Sequence, residues 1–136
     1  MNILEIKEHF KKDRFADMIG VEIDSITPDE VVCSLRIKDH HLNAGEKVQG
    51  GATFTLADFA FAIACNYENL TEEKNTITVG HSCNINFLRP ATGKTLIAKS
   101  ECVQKGRKLS VYRVRVTDDN GTNVAEMTGN AYTVDL

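Results

Sequence analysis

The chain has 136 residues, a formal net charge of −3 and a hydrophobic fraction of 42%. This length supports one hydrophobic core, so we expect a single domain over residues 1–136. The sequence has neither a signal segment nor a run of about eighteen apolar residues, and its charge argues against general nucleic-acid binding. We therefore expect a cytoplasmic protein with no nucleic-acid and no membrane partner.

The first part of the chain changes its pattern at Gly20. Residues 1–19 carry apolar side chains at helical spacings among charges, which predicts one or two short helices that end at this glycine. From Val21 apolar and polar residues alternate, with turn residues at 27–29. This alternation predicts a β-hairpin with one buried face.

A polar loop at residues 39–49 leads into a strongly apolar segment, residues 50–65. Because apolar residues occur on every side of a 3.6-residue period, we predict a buried central helix. Asp58 is unusual in this helix, since burying a carboxylate ion is unfavourable without hydrogen bonds or opposite charge nearby. Residues 66–75 are polar and predict a connection.

Four strand-like segments complete the chain, and we predict that they form an antiparallel meander. They cover approximately residues 76–88, 95–104, 109–117 and 122–134. Strands that outnumber helices and follow one another in hairpins are typical of an α+β fold with the helix packed on one sheet.

Cysteines and histidines offer little for metal chemistry. The cysteines form no C-x-x-C pair, so we interpret all four as buried free thiols and expect no metal site. They are Cys33, Cys65, Cys83 and Cys102.

Three histidines remain as acid–base candidates: His40 and His41 lie in the polar loop, where His41 can shape the backbone. His81 lies on the apolar face of a predicted strand, which favours a core or interface residue.

Positive charge is concentrated in residues 89–115, which contain eight basic residues and one acid, Glu101. The basic residues are Arg89, Lys94, Lys99, Lys105, Arg107, Lys108, Arg113 and Arg115. Two interpretations stay open. The cluster is either a solvated sheet face or a site for a small polyanion such as a phosphate group.

A stretch of sixteen residues contains three features that can carry chemistry together: Asn43, the pair Gly50 and Gly51, and Asp58. Separately they are typical of a turn, a helix start and a surface acid. Together they offer an amide, a helix-terminal N–H for an oxyanion, and a carboxylate that acts as base or nucleophile. Gly50 and Asp58 are about 12 Å apart along one α-helix at about 1.5 Å per residue. If both act on one carbonyl, Asp58 must come from a second copy, which implies a two-fold dimer.

Three segments of the chain resemble the signature of hotdog-fold acyl-CoA thioesterases, specifically the phenylacetate-degradation (PaaI-like) branch. They are His41-Leu42-Asn43, Gln49-Gly50-Gly51 and Leu56-Ala57-Asp58-Phe59-Ala60, and the resemblance continues through residues 86–91 and 106–107. It implies a hotdog fold, in which an antiparallel sheet wraps around one long central helix. It also implies a homodimer or homotetramer that needs no cofactor, because coenzyme A is part of the substrate.

The resemblance assigns roles to individual residues. Asp58 matches the catalytic carboxylate, as nucleophile or as general base on water. Gly50 matches the N–H that polarises the thioester carbonyl, and Asn43 matches the amide that orients water or substrate. The segments implied to bind coenzyme A contain Leu88, Arg89, Pro90, Lys105, Gly106, Arg107 and Lys108.

Two positions depart from the family pattern. Gln49 replaces the usual histidine and stays a candidate site residue, because its side chain can still hydrogen-bond although it cannot exchange a proton near neutral pH. Glu46 occupies the place of a glycine, which predicts an altered backbone in the loop.

The first hypothesis is therefore a thioesterase for a small aromatic or a short- to medium-chain acyl-CoA. One alternative is an acyl-thioester hydratase, whose histidine and acid motif is missing from the sequence. The other is a non-catalytic acyl-CoA-binding or sensing protein, which the replacement by Gln49 keeps open.

Overall fold

The computed structural model describes residues 1–136, which form three α-helices, one short 3-10 helix and a six-stranded antiparallel sheet. The helices are α1 (Ile3–Phe10), α2 (Arg14–Ile19) and α3 (Gly50–Thr71), and the 3-10 helix is Asp39–His41. The strands are β1 (Val21–Ile26), β2 (Val31–Arg36), β3 (Thr76–Phe87), β4 (Thr95–Lys105), β5 (Leu109–Asp118) and β6 (Asn123–Asp135).

The two N-terminal helices have well-defined ends. Asn2 and Glu5 form a reciprocal capping box at the start of α1. The Asp13 side chain accepts a hydrogen bond from Ala16 N at the start of α2. Gly20 ends α2 in the left-handed conformation with φ 96°, as is common for a glycine after a helix.

Helix α3 lies on the inner face of the sheet, and this arrangement confirms the predicted α+β fold. Its Phe61 ring packs against β3 and β6 at two glycines. A Cβ atom at Gly80 would lie 2.8 Å from this ring, and one at Gly129 would lie 2.7 Å from it. Both positions therefore require glycine for the helix to approach the sheet this closely.

Helix α3 is longer than predicted, because residues 66–71 continue the helix rather than form a connection. The Asn66 side chain explains the difference. Its Oδ1 accepts from Thr78 N at 2.9 Å and its Nδ2 donates to Thr78 O at 2.8 Å. Polar residues in these turns bond to β3, so their polarity does not indicate a loop.

The strand order is β1-β2-β4-β5-β6-β3, so the prediction of a four-strand meander is wrong for β3. Strand β4 already pairs with β2 on one side and with β5 on the other. Strand β3 therefore cannot lie beside β4, which follows it in the chain, and it pairs with β6 instead. Strand β3 therefore forms one edge of the sheet and β1 forms the other.

The predicted regular alternation of β3 is also wrong, because the register shifts between Gly80 and Ser82. Val79, before the shift, pairs with exposed Tyr132, whereas Ile85, after the shift, pairs with buried Met127. The bulge lets a glycine rather than a valine face Phe61. It also leaves His81 exposed in this chain, which excludes the core position suggested by its alternation.

Two of the four cysteines are not buried, contrary to the prediction. Cys33 and Cys65 lie in the core, while Cys83 on β3 and Cys102 near the end of β4 are exposed. Burial, and secondarily the charge of Asp24, raises the pKa of the Cys33 thiol to about 12. None of the helices is both long and apolar enough to span a bilayer.

Candidate active site

The loop before α3 is held by His41, which is buried. Its Nδ1 accepts a hydrogen bond from Lys38 N at 2.9 Å, and its Nε2 lies 2.7 Å from Ile19 O. These partners require a neutral ring with the proton on Nε2. His41 therefore fixes the loop against the end of α2 and has no free nitrogen for proton transfer.

The side chain of Asn43 holds a tight turn through its amide oxygen, and its amide nitrogen is free. Its Oδ1 accepts hydrogen bonds from Gly45 N at 2.8 Å and from Lys47 N at 3.1 Å. Its Nδ2 forms no hydrogen bond within the chain. The Asn43 side chain thus offers a donor to a bound group, held in place by its own oxygen.

Glu46 adopts φ 61°, a left-handed conformation that favours glycine. The loop therefore contains a glycine-type backbone conformation at the position where the family pattern has glycine. This conformation costs about 1–2 kcal/mol for a residue with a Cβ atom.

The N–H of Gly50 is free at the start of α3. The Gln49 backbone oxygen accepts from Ala52 N, and the Gln49 side chain accepts from Gly51 N at 2.5 Å. None of the hydrogen bonds outside the helices and strands uses Gly50 N, and its position as the first helical residue leaves it without an intrahelical acceptor. An N–H in this position favours an anionic oxygen. Gln49 acts as a helix cap, which sequence reasoning did not predict.

A cavity of about 430 Å³, the first cavity, opens beside this N–H. Its wall contains Asn43 and Gly50, and continues through residues 87–91. Two cations also line it, Lys47 and Arg89, and neither forms an ion pair. The structure thus brings Asn43, Gly50, Leu88, Arg89 and Pro90 together around one cavity.

Sequence reasoning missed Lys47 and Phe87 as residues of this site. The ring of Phe87 would lie 3.2 Å from a Cβ atom placed on Gly50, so it covers the helix start. Lys47 stands two residues before Gln49 in the polar loop, outside the basic segment at residues 89–115. Its position between the turn of Asn43 and the glycine pair is the sequence feature that could have predicted Lys47 as a residue of the site.

The turn of Lys105, Gly106, Arg107 and Lys108 lies at the opposite end of the sheet. Leu88 N donates to Val124 O, whereas Lys108 O accepts from Thr133 N. These two points of β6 are about 30 Å apart at about 3.4 Å per residue. One chain therefore does not bring this turn to the first cavity.

Much of the basic cluster is neutralised or lies on the solvated face of the sheet. Lys105 pairs with Glu68 of α3, Arg113 with Glu101, and Arg115 with Glu126. The interpretation as a solvated face holds for Arg113 and Arg115, while Arg89 remains free at the first cavity.

Asp58 is exposed on α3, in a face of the helix that the sheet does not cover. Desolvation by surrounding protein atoms, and then the negative charge of Asp13, raises the pKa of its carboxyl group above the ordinary range. Asp58 therefore ionises at a higher pH than a free aspartate does. No cluster of three or more His, Cys, Asp or Glu side chains that could hold a metal ion occurs in the structure.

A long helix on the inner face of an antiparallel sheet is the arrangement of the hotdog fold, and the free N–H and the acid of this helix are candidate groups for hydrolysis. The family described as the thioesterase superfamily matches residues 47–125. The chain belongs to this superfamily. The membership confirms the predicted hotdog-fold thioesterase.

Named relatives agree with this assignment. The acyl-coenzyme A thioesterase PaaI of Escherichia coli K12 is 30% identical over 92% of this chain and 86% of its own length. The human acyl-coenzyme A thioesterase 13 is 27% identical over 83% of this chain and 79% of its own length. The solved structure of E. coli PaaI matches with a TM-score of 0.82 at 28% identity, over 93% of this chain and 88% of that chain.

Proposed function

We propose that the protein hydrolyses the thioester of a small aromatic or a short- to medium-chain acyl-CoA, at a site shared between two subunits. The observation that carries the proposal is the free N–H of Gly50, which opens onto a cavity with two unpaired cations. An N–H at a helix start stabilises the oxyanion that forms when the thioester carbonyl is attacked, and cations attract the phosphates of coenzyme A. The relatives named acyl-coenzyme A thioesterases support this substrate class.

The proposed reaction uses three groups. The thioester oxygen accepts from Gly50 N–H, and the free amide nitrogen of Asn43 donates to the substrate or to water. The Asp58 carboxylate either takes a proton from the attacking water or attacks the carbonyl carbon to form an anhydride that water then cleaves. By both routes the C–S bond breaks, the thiolate gains a proton, and the products are a carboxylate and the free thiol.

Two observations support a shared site. Gly50 and Asp58 are separated by about 12 Å along α3, which is too far for both to touch one carbonyl. The outer edge of the twelve-residue strand β3 has no partner in the chain, and such edges commonly pair with another chain.

The direction of such a pair adds a third argument. Two antiparallel β3 strands run in opposite directions, so the start of one lies beside the end of the other. The turn at residues 105–108 lies near the start of β3, and residues 88–90 follow its end. In the proposed dimer, the partner's turn therefore approaches the first cavity, where the partner's Arg107 and the partner's Lys108, which form no ion pair in the chain, add positive charge for the nucleotide.

The proposal is tested with Asp58→Asn and a panel of benzoyl, phenylacetyl and straight-chain acyl-CoA substrates. We expect kcat to fall by at least about 10³-fold, because this change removes the carboxylate but keeps its shape. Asp24→Asn, an exposed aspartate on β1, is the matched control and should keep wild-type turnover. Circular dichroism and sedimentation should show the same fold and assembly in both variants. Undiminished hydrolysis by Asp58→Asn would contradict the proposal.

A second candidate is a non-catalytic acyl-CoA-binding protein, which is favoured by the use of Gln49 as a cap rather than as a proton donor. It predicts stoichiometric binding of acyl-CoA without release of thiol. The hydratase alternative has less support, because both ring nitrogens of the buried His41 are already occupied.

A further inference from the structure

A second cavity, of about 390 Å³, lies on the other side of the first turn of α3. Its apolar wall consists of Phe15, Ile19, Leu42, Ala52 and Phe54. No Asp, Glu, Lys or Arg side chain lines it, in contrast to the first cavity with its Lys47 and Arg89. The two cavities thus differ in charge, although they adjoin the same helix start.

The first turn of α3 separates the two cavities. Gly50 and Thr53 face the first cavity, while Gly51 and Ala52 face the second. A carbonyl held at Gly50 N–H therefore lies beside the cationic first cavity, one residue along the chain from the wall of the second cavity, which has no acid, lysine or arginine. An acyl-CoA has the same division, with phosphates on one side of its thioester and a hydrocarbon group on the other.

We propose that the second cavity binds the acyl group and that helix α2 sets the size of the acyl group it accepts. This inference rests on the proposed function and adds the location of the acyl group. Ligand pockets for drug-sized molecules measure about 300–1,000 Å³. The second cavity is near the lower end of this range, which suits a phenyl ring or a short chain and excludes a long-chain acyl group from full burial.

Phe15 is the residue of α2 best placed to control this size. Its side chain lines the cavity although it is 59% exposed, so it forms the rim between the cavity and solvent. An exposed aromatic ring at the rim of an apolar cavity is suited to contact a ligand. Met18, on the same helix and 69% exposed, does not line the cavity and provides a matched control.

The first experiment compares Phe15→Ala, Ala52→Leu and Met18→Ala with acetyl-, phenylacetyl- and decanoyl-CoA. In Phe15→Ala, we expect the kcat/KM ratio of phenylacetyl-CoA to acetyl-CoA to fall about 10-fold through lost wall contacts. The ratio of decanoyl-CoA to phenylacetyl-CoA should rise, because the rim is open. In Ala52→Leu, which fills the cavity, the phenylacetyl to acetyl ratio should also fall at least about 10-fold. Met18→Ala should keep all wild-type ratios.

The second experiment separates the two cavities with phenylacetyl-N-acetylcysteamine, a thioester that lacks phosphates. Ala52→Leu should impair hydrolysis of this substrate and of phenylacetyl-CoA alike. Arg89→Gln should raise KM for phenylacetyl-CoA but leave KM for the phosphate-free thioester within about 2-fold of wild type, because only the former has phosphates for the cation. Thermal unfolding checks that each variant is folded.

The outcomes distinguish this inference from the proposed function. If wild type hydrolyses acyl-CoA but Phe15→Ala and Ala52→Leu keep its substrate ratios, the second cavity does not bind the acyl group. Because Phe15 is exposed, its replacement cannot fail merely by unfolding the core. If wild type hydrolyses none of the thioesters, the proposed function itself fails.

Discussion

The N–H of Gly50 can be removed without breaking the helix that presents it. Gly50 is the first residue of α3, where proline is tolerated because this N–H has no intrahelical acceptor. Gln49 has φ −67° and ψ 137°, a conformation compatible with a following proline. The proposed oxyanion donor can therefore be deleted in isolation.

We expect Gly50→Pro to lower kcat about 10²–10³-fold, as for the loss of one oxyanion donor in other enzymes. Gly50→Ala keeps the N–H and adds only a Cβ atom 3.2 Å from the exposed Phe87 ring, which can move aside. It should therefore lose less than about 10-fold. Equal activities of the proline and alanine variants in steady-state kinetics would show that the N–H is not used.

Individual residues of the site differ in how far the sequence predicted them. Asn43, Gly50 and Arg89, whose spacing follows a family pattern, lie around one cavity, while their roles in it stay predictions. The capping bond of Gln49 was not predictable from its replacement of a histidine. Likewise Glu46 did not predict its left-handed φ of 61°, since this conformation is unfavourable for glutamate and is imposed by the rest of the loop.

Among the structural elements, the connection between β3 and β4 carries Arg89 and is fastened by Asp118 at the end of β5. The Asp118 carboxylate is 3% exposed and accepts four backbone N–H groups. The donors are Thr92 at 2.7 Å, Gly93 at 2.9 Å, Asn120 at 3.0 Å and Thr122 at 2.8 Å. Burial alone would raise the pKa of Asp118, but these N–H groups lower it well below the ordinary range.

We expect Asp118→Asn to lower the free energy of unfolding at pH 7 by about 2–4 kcal/mol, because an amide replaces a charged acceptor of several donors. The pKa of Asp118 is lower in the folded state, so its stabilisation is full above the unfolded pKa of about 3.9 and is lost as pH falls below it. The difference between wild type and variant in urea titrations should therefore shrink from pH 7 to pH 3. A constant difference over this range would contradict the role of the charge.

The elements themselves show where local pattern is insufficient. The hairpin of β1 and β2 and the strands β4, β5 and β6 follow from alternation and turn residues, which are local signals. The place of β3 beside β6 and the last turns of α3 depend on contacts distant in sequence, such as Asn66 with Thr78. A polar residue that bonds to a strand and one that faces solvent are identical in sequence, so these features were mispredicted.

At the scale of the whole molecule, the shared site predicts complementation between two inactive variants. A heterodimer of one Asp58→Asn chain and one Gly50→Pro chain has one site with both defects and one with neither. Such a heterodimer, purified through two different tags, should recover about half of the wild-type activity per dimer. Each homodimer alone should be nearly inactive.

A heterodimer as inactive as its parents would place Asp58 and Gly50 of one site in the same chain. Sedimentation equilibrium of wild type provides the matching control, because a monomer would exclude a shared site. The molecular mass from the same measurement also decides between the two assemblies left open by the sequence, a dimer and a tetramer.

The position of β3 also has a consequence for the order of events during synthesis. Thr76 pairs with Asp135 and Phe87 with Ala125, so β3 stays outside the sheet until β6, which follows every other strand in the chain, is available. Pairings between distant segments form late in folding. While β3 waits for β6, both of its edges lack a partner, and unpaired strand edges make a folding chain prone to association with its neighbours.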